Sequence, residues 1–151
     1  MKVVKAPDSY DLTVKPIIFL GGSIEMNTAE MWQDRMCNML YKLDGLLLNP
    51  RRDDWASSWI QSFENKQFNE QVTWELEALE TCNVAIFYFD PNTKSPITLL
   101  ELGLFRRKAM VCCPNGYWRK GNVDIVCNRY NIPQWSDLES MSSYIVKHYG
   151  S

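Results

Sequence analysis

The residue whose position most directly suggests chemistry is Glu101, a single carboxylate inside the apolar segment Ile97-Thr98-Leu99-Leu100-Glu101-Leu102-Gly103-Leu104-Phe105. This predicted helix start follows a predicted buried strand at 84–89 and a turn-rich loop at 90–96. A charge there lies near the positive end of a helix dipole and beyond the carboxyl edge of a strand, where open α/β sheets bind ligands. Such a carboxylate can act as a nucleophile or stabilise a developing cation. The alternative is a surface Glu that only complements the helix dipole.

A second carboxylate, Glu75, lies on a predicted helix at 65–81, directly before the same strand. On that helix Glu75 can point toward the strand ends, while Glu77 and Glu80 face solvent. Because the helices that carry Glu75 and Glu101 flank one strand, the two carboxylates can converge. Paired carboxylates perform glycosyl transfer: one attacks or stabilises the anomeric carbon, and the other handles protons or orients a hydroxyl.

The segment Gly21-Gly22-Ser23 follows a predicted strand at 16–20 that contains Phe19. Glycines let the backbone approach a ligand closely, and the amides that follow, with the Ser23 hydroxyl, can hold an anion or a sugar oxygen. A tight turn that binds nothing would have the same sequence. Both interpretations stay open from the sequence alone.

Two further loops combine aromatic and basic residues. The first reads Asn49-Pro50-Arg51-Arg52-Asp53-Asp54-Trp55, with Trp59 shortly beyond. Its side chains can stack on a planar base or pair with a phosphate, unless the loop is solvated and its tryptophans pack on the core. The second, at 114–124, contains glycines, Tyr117, Trp118 and basic residues, which is typical of a binding loop or a subunit contact.

The composition argues against several other kinds of site. The single histidine, His148, disfavours Ser-His-Asp or Cys-His catalysis and multi-histidine metal sites. Five cysteines without C-x-x-C spacing fit core packing better than a metal clamp. A net charge of −2 gives no indication of a nucleic-acid surface, and no apolar run approaches the roughly 20 residues that span a bilayer. Without a signal-peptide-like start, we expect a cytosolic protein whose catalysis uses carboxylates, hydroxyls and amides.

The order of elements predicts a single domain over residues 1–151, with a loose arm at 1–15. Strands are predicted at 16–20, 46–48, 84–89, 109–113 and 123–126. Helices are predicted at 28–43, 65–81, from 97 and at 136–148. Alternation of strands and helices indicates an α/β fold with a doubly wound parallel sheet of about five strands and helices on both faces.

Over residues 16–135 these pieces, in this order, resemble the nucleoside 2-deoxyribosyltransferase family, especially its branch with N-P-R-R-x-x-W and G-[FY]-W-R-K-G-N-V loops. The resemblance implies a flavodoxin-like sheet, a homo-oligomer and no cofactor. It implies that Glu101, in Glu101-Leu102-Gly103, attacks C1′ of the deoxyribose to form a covalent sugar–enzyme intermediate. Glu75 would position the sugar and the nucleophile. Asn122 matches an Asn that family members donate to a neighbouring subunit's site.

Two positions depart from the family's transferases. Phe19 stands where they commonly place Tyr, and Ser95 stands where they place an Asp that contacts and protonates the base. Ser95 together with Gly22-Ser23 is similar to the related deoxynucleoside 5′-monophosphate N-glycosidases, in which serines hold the phosphate. Asp90 then becomes a candidate for protonating the base.

We therefore predict transfer of 2-deoxyribose between nucleobases through a Glu101 sugar ester. The partners are a deoxyribonucleoside and a free nucleobase, with no nucleic acid and no membrane, and the 116–123 loop completes a neighbour's site in a homo-oligomer. The alternatives are a 2′-deoxynucleoside 5′-monophosphate N-glycosidase, in which water replaces the second base, and a non-catalytic sensor. The predicted catalytic residues are Glu101, Glu75 and Asp90; the predicted substrate-binding residues are Phe19, Gly21, Gly22, Ser23, Asn49, Arg51, Arg52, Asp53, Trp55, Ser95 and Asn122.

Overall fold

A computed structural model describes residues 1–24, 30–52 and 59–150. Its strands are β1 (Lys2–Lys5), β2 (Ile17–Gly22), β3 (Leu46–Asn49), β4 (Val84–Tyr88), β5 (Ala109–Cys112) and β6 (Gln134–Trp135). Its helices are α1 (Trp32–Leu40), α2 (Lys66–Thr81), α3 (Pro96–Leu104), α4 (Lys120–Arg129) and α5 (Leu138–Tyr149), with a 3₁₀ turn at Arg106–Lys108. No helix among these residues is long and apolar enough to cross a membrane.

The six strands form one parallel sheet in the order β1-β3-β2-β4-β5-β6. From β2 the chain passes through α1 to β3 on one side, and from β4 it passes through α3 to β5 on the other. The neighbouring strands β2 and β4 therefore form the topological switch point. In sheets of this kind, the crevice beyond the carboxyl ends of such strands is the usual ligand site.

Both faces of the sheet are covered, which explains why its strands are apolar throughout. On one face, Phe87 of β4 packs in a core with α2, α3 and α4. On the other, Ile86 packs in a second core with α1 and α5. Parallel strands buried on both sides lack the alternation of polar and apolar residues that a half-exposed strand has. The predicted doubly wound α/β fold is confirmed.

The structure corrects the predictions at both edges of the sheet. The predicted loose arm contains β1, whose Val3 pairs with Leu47 of β3 and whose Val4 is buried. The predicted strand at 123–126 lies inside α4, where Val123 and Cys127 are both buried four residues apart. Its β-branched residues suggested a strand, but the burial follows the helical period. One predicted strand is therefore lost, and the unpredicted β1 and β6 are gained, so the sheet has six strands rather than about five.

Candidate active site

The carboxyl ends of β2 and β4 are tied together at the switch point. The Ser23 backbone N–H donates to the Tyr88 carbonyl at 3.0 Å, and the Asp90 N–H donates to Ser23 Oγ at 2.9 Å. Glu101 on α3 and Glu75 on α2 belong to the helix layer that covers one face here. The fold thus brings the Gly21–Ser23 segment, Asp90 and the two helices that carry the carboxylates to one region.

The two glycines of β2 are required by packing against β4. A Cβ on Gly21 would lie 2.9 Å from the Phe87 ring, and one on Gly22 would lie 2.5 Å from the Tyr88 carbonyl oxygen. Gly22 also has φ of +141°, which L-residues with a side chain rarely adopt. Phe19 is 1% exposed, so its ring lies in the core beneath the site. The packing interpretation therefore explains both glycines without a ligand.

Ser23, Thr93 and Ser95 form a buried cluster of hydroxyl groups. Ser23 Oγ lies 2.5 Å from Ser95 Oγ and 2.9 Å from Thr93 Oγ1, and the two latter hydroxyls are 2.7 Å apart. Ser95 directly precedes α3 in a left-handed conformation, with φ of 49°, and its side chain makes no capping hydrogen bond to the helix. Because these hydroxyls bond one another and the Tyr88 and Asp90 carbonyls, a phosphate bound here would compete with existing hydrogen bonds. Thr93 was not among the predicted residues.

Asp90 is buried, and its carboxylate accepts hydrogen bonds from two backbone N–H groups. Its Oδ2 accepts from the Glu30 N–H at 2.7 Å, and its Oδ1 accepts from the Asn92 N–H at 2.8 Å. The Tyr88 hydroxyl donates to Glu30 Oε1 at 2.7 Å, and Arg35 Nη1 donates to Glu30 Oε2 at 2.6 Å. Burial and the bond to Glu30 both raise the pKa of Tyr88, which keeps its phenol a donor. These contacts anchor the start of α1 to β4, and they occupy both oxygens of the carboxylate proposed to protonate the base.

Glu101 and Glu75 form an electrostatically coupled pair. Glu101 is 8% exposed, and burial raises its pKa to about 7. The pKa of Glu75 is raised to about 8, mainly by burial and to a smaller extent by the charge of Glu101. Hydrogen bonding from Gln71 lowers this pKa. Glu77 and Glu80 are exposed, as predicted. Two carboxyl groups in this situation favour one retained proton at neutral pH, because a second negative charge is opposed by both burial and repulsion.

The Asn49–Arg52 segment is fixed by buried amides. Asn49 Oδ1 accepts from the Arg51 N–H at 3.0 Å, and Gln71 Nε2 donates to the Pro50 carbonyl at 2.8 Å. Gln71 lies one helical turn before Glu75, so it connects this segment to the carboxylate pair. Arg52 pairs with Glu70 at 3.0 Å and lies over the Trp59 ring at 5.0 Å. The predicted residues Asp53 and Trp55 lie outside the described ranges.

The 114–124 segment is partly helical and packs on the loop before α3. The Tyr117 hydroxyl and the Trp118 indole N–H both donate to the Lys94 carbonyl, at 2.5 and 2.9 Å. The charges of Lys94 and Arg119 lie over the Trp118 ring, at 4.2 and 4.4 Å. Asn122, predicted within a loop, is an exposed residue of α4. Within the described part of the chain, no group of His, Cys, Asp or Glu side chains could hold a metal ion.

The family model described as nucleoside 2-deoxyribosyltransferase like matches residues 15–117. This range contains β2 to β5, both carboxylates, the hydroxyl cluster and the Asn49–Arg52 segment. No curated protein matches the chain.

Proposed function

The chain belongs to the nucleoside 2-deoxyribosyltransferase-like family, and we propose that it transfers 2-deoxyribose from one nucleobase to another. The observation that carries this proposal is the buried Glu101 carboxyl beside the switch point of the sheet, together with the half-buried Glu75, whose acidity responds to the charge of Glu101. Their burial is costly and has no structural benefit that an apolar side chain would not provide better. Family membership supports the class of reaction, and the carboxylate pair supports its mechanism.

In the proposed first step, the ionised Glu101 attacks C1′ of the deoxyribose. A C1′–O bond forms, the C1′–N bond to the base breaks, and its electron pair leaves with the base nitrogen. A proton on the departing base neutralises that charge. In the second step a nitrogen of another base attacks C1′ and releases Glu101, while the proton returns to the enzyme. If water attacks instead, the product is free deoxyribose.

We assign the proton to Glu75 rather than to Asp90. Both Asp90 oxygens accept backbone N–H groups, and Ser95 bonds to Ser23 and Thr93. Glu75 has a pKa of about 8, so it retains its proton at neutral pH, and its acidity is coupled to Glu101. When Glu101 becomes an uncharged sugar ester, the repulsion that raises the pKa of Glu75 disappears. Proton release to the base therefore becomes easier as the covalent bond forms.

The exposed apolar side chains of α3 and α4 support assembly into a homo-oligomer. Ile97, Leu100 and Leu104 lie on α3 and are each about 60% exposed. Ile125 of α4 is 70% exposed. A subunit packed on this surface would lie beside the helix that carries Glu101, and Asn122 of α4 would be placed to reach a neighbouring site.

The test is a product assay with deoxyinosine and cytosine. We expect deoxycytidine and hypoxanthine from the wild-type protein, and a loss of at least about three decades in rate for Glu101→Gln. Glu77→Gln is the matched control, because Glu77 is an exposed Glu near Glu75 on α2. Free deoxyribose as the main product would identify a hydrolase. No conversion of nucleosides or their monophosphates by folded protein would contradict the proposal and favour a sensor.

A further inference from the structure

Five buried side-chain nitrogen and oxygen atoms in the described ranges have no hydrogen-bond partner. They belong to three residues: both amide atoms of Gln33, Nε and Nη2 of Arg51, and Oε1 of Gln71. Buried polar atoms are nearly always bonded, so each exception requires an explanation. Here the exceptions are concentrated in three side chains rather than scattered through both cores.

The three residues belong to one region of the fold. Arg51 directly follows Pro50, whose carbonyl Gln71 binds. Gln33 lies in the first turn of α1, between Met31 and Asp34 in the sequence, and both of these residues interact with Arg51. The Met31 sulfur accepts a hydrogen bond from Arg51 Nη1 at 2.6 Å. The charge of Asp34 acts on the guanidinium. The three residues therefore lie where the carboxyl end of β3 meets the start of α1 and the first half of α2. This is the same edge of the sheet as the carboxylate pair.

The two unbonded nitrogens of Arg51 have a specific geometry. In a planar guanidinium, the Nε–H and one Nη2–H form one side and point in nearly the same direction. This side binds the two oxygens of an oxyanion through parallel hydrogen bonds. Arg52 is different, because Glu70 and Trp59 already contact its guanidinium. Burial lowers the pKa of Arg51 and Asp34 opposes this change, so the charge is held in a partly desolvated position.

The backbone around Arg51 is also fixed before any ligand arrives. Asn49 Oδ1 holds its N–H, and the Gln71 amide holds the preceding carbonyl. Gln71 is buried and also hydrogen-bonds toward Glu75. A group bound at Arg51 is therefore connected to the carboxylate pair through one amide side chain. Preorganisation of this kind lowers the entropic cost of binding.

We propose that Arg51 is the anchor of a phosphate-binding site, with the free Nε and Nη2 side of its guanidinium as the principal contact. The ligand is either the 5′-phosphate of a nucleotide substrate or free inorganic phosphate. Assignment to a substrate phosphate rests on the proposed function, whereas binding of inorganic phosphate does not. The Ser23 and Ser95 hydroxyls, which bond each other, are not required for this site.

The first experiment measures thermal unfolding with and without inorganic phosphate, with sodium chloride to match ionic strength. Wild type and Arg107→Met, which removes an exposed arginine, should rise in Tm by at least about 3 °C at saturating phosphate. Arg51→Met should show no rise. In phosphate-free buffer it should unfold at a higher temperature than wild type, because it removes a partly desolvated charge with two unbonded nitrogens. Arg51→Lys should keep less than half of the rise, because it retains charge without the paired donors.

The second experiment distinguishes the sources of phosphate by calorimetry in a Glu101→Gln background, which binds without turnover. If the ligand is a substrate phosphate, deoxycytidine 5′-monophosphate should bind at least about 30-fold tighter than deoxycytidine, and Arg51→Met should abolish the difference. Equal affinities together with the phosphate-induced rise in Tm would identify free phosphate and still support the site. Absence of both responses, or an Arg51→Met variant that only loses stability, would overturn it. Neither readout requires catalysis, so failure of the site and failure of the proposed reaction are separable.

Discussion

Replacement of Glu101 by Gln should stabilise the protein at alkaline pH while it removes turnover. Glu101 has an ordinary pKa of 4.5, which burial raises to about 7 in the folded protein. Between these values the native state binds more protons than the unfolded state, so the stability of the wild type falls as pH rises. Above pH 7 the full cost of the buried charge is present. Glutamine has similar size and carries no charge at any pH.

The size of the effect follows from the two pKa values. The difference between 4.5 and about 7, at roughly 1.36 kcal/mol per pH unit, corresponds to about 3 kcal/mol at pH 8 and to less than about 0.5 kcal/mol near pH 4.5. For a chain of this length, about 3 kcal/mol corresponds to roughly 6–12 °C in Tm. Circular dichroism melts of both proteins from pH 4.5 to 9, at constant protein concentration, measure this difference. Glu77→Gln, at an exposed site on α2, is the control and should show almost no pH-dependent difference.

The slope with pH is the informative quantity, because the desolvation cost of the Gln amide does not change with pH. The difference in Tm between Glu101→Gln and wild type should grow through pH 5–7 and level off above the raised pKa. A difference that is independent of pH, or that grows toward acid, would refute the assignment of Glu101 as a desolvated carboxyl. An exposed surface Glu, the alternative interpretation of this position, would give that flat result.

Three further outcomes are expected. Glu75→Gln should lower kcat at least about 100-fold. It should also remove the fall in rate that we expect of the wild type as pH rises through the Glu75 pKa of about 8; an unchanged pH–rate profile would contradict a role as acid. Leu100→Glu, at an exposed position of α3, should dissociate the proposed homo-oligomer in light scattering and reduce activity, whereas a fully active wild-type monomer would contradict the interface. Lys108→Met should lower the free energy of unfolding by about 1–3 kcal/mol, because Lys108 Nζ donates to three carbonyls at the end of α2. Arg107→Met is the control in urea unfolding, and an equal effect of both substitutions would contradict this capping role of Lys108.

Much of the sheet could be predicted because its central strands are buried on both faces. A continuous apolar run such as 84–89, bounded by turn residues, is too short for a typical buried helix and fits a strand that is covered on both faces. The edges could not be predicted in the same way. β1 is only half covered and has the mixed sequence Lys-Val-Val-Lys, and β6 consists of two residues whose pairing depends on β5. Edge strands are specified by the neighbour that they pair with, which is remote in sequence.

The sequence indicated where two carboxylates of interest lie, but not the hydrogen bonds around them. Glu101 stood out because a charge interrupts an apolar helical pattern, and Glu75 because its helix directly precedes the same strand. Asp90 and Ser95 have the same residue types as ligand-binding groups, yet the structure uses Asp90 for two backbone amides and Ser95 for two hydroxyls. Gln71, which contacts the Pro50 carbonyl, was missed, although its position four residues before Glu75 places it on the same helix face. Partners that are distant in the chain decide such roles.

The electrostatics of the site also bear on how it would accelerate the reaction. Burial destabilises the ionised forms of Glu101 and Glu75, and it destabilises the charged Arg51 guanidinium. A neutral sugar relieves little of this cost at the carboxylates. The positive charge that develops at C1′ as the base departs interacts with the ionised Glu101 in a region poor in water, where the attraction is stronger than in solvent. The interaction is therefore larger in the transition state than in the bound substrate, which is the condition for catalysis.

A phosphate at Arg51 would add binding energy that is equal in both states, so loss of Arg51 should weaken substrate binding more than it slows the chemical step.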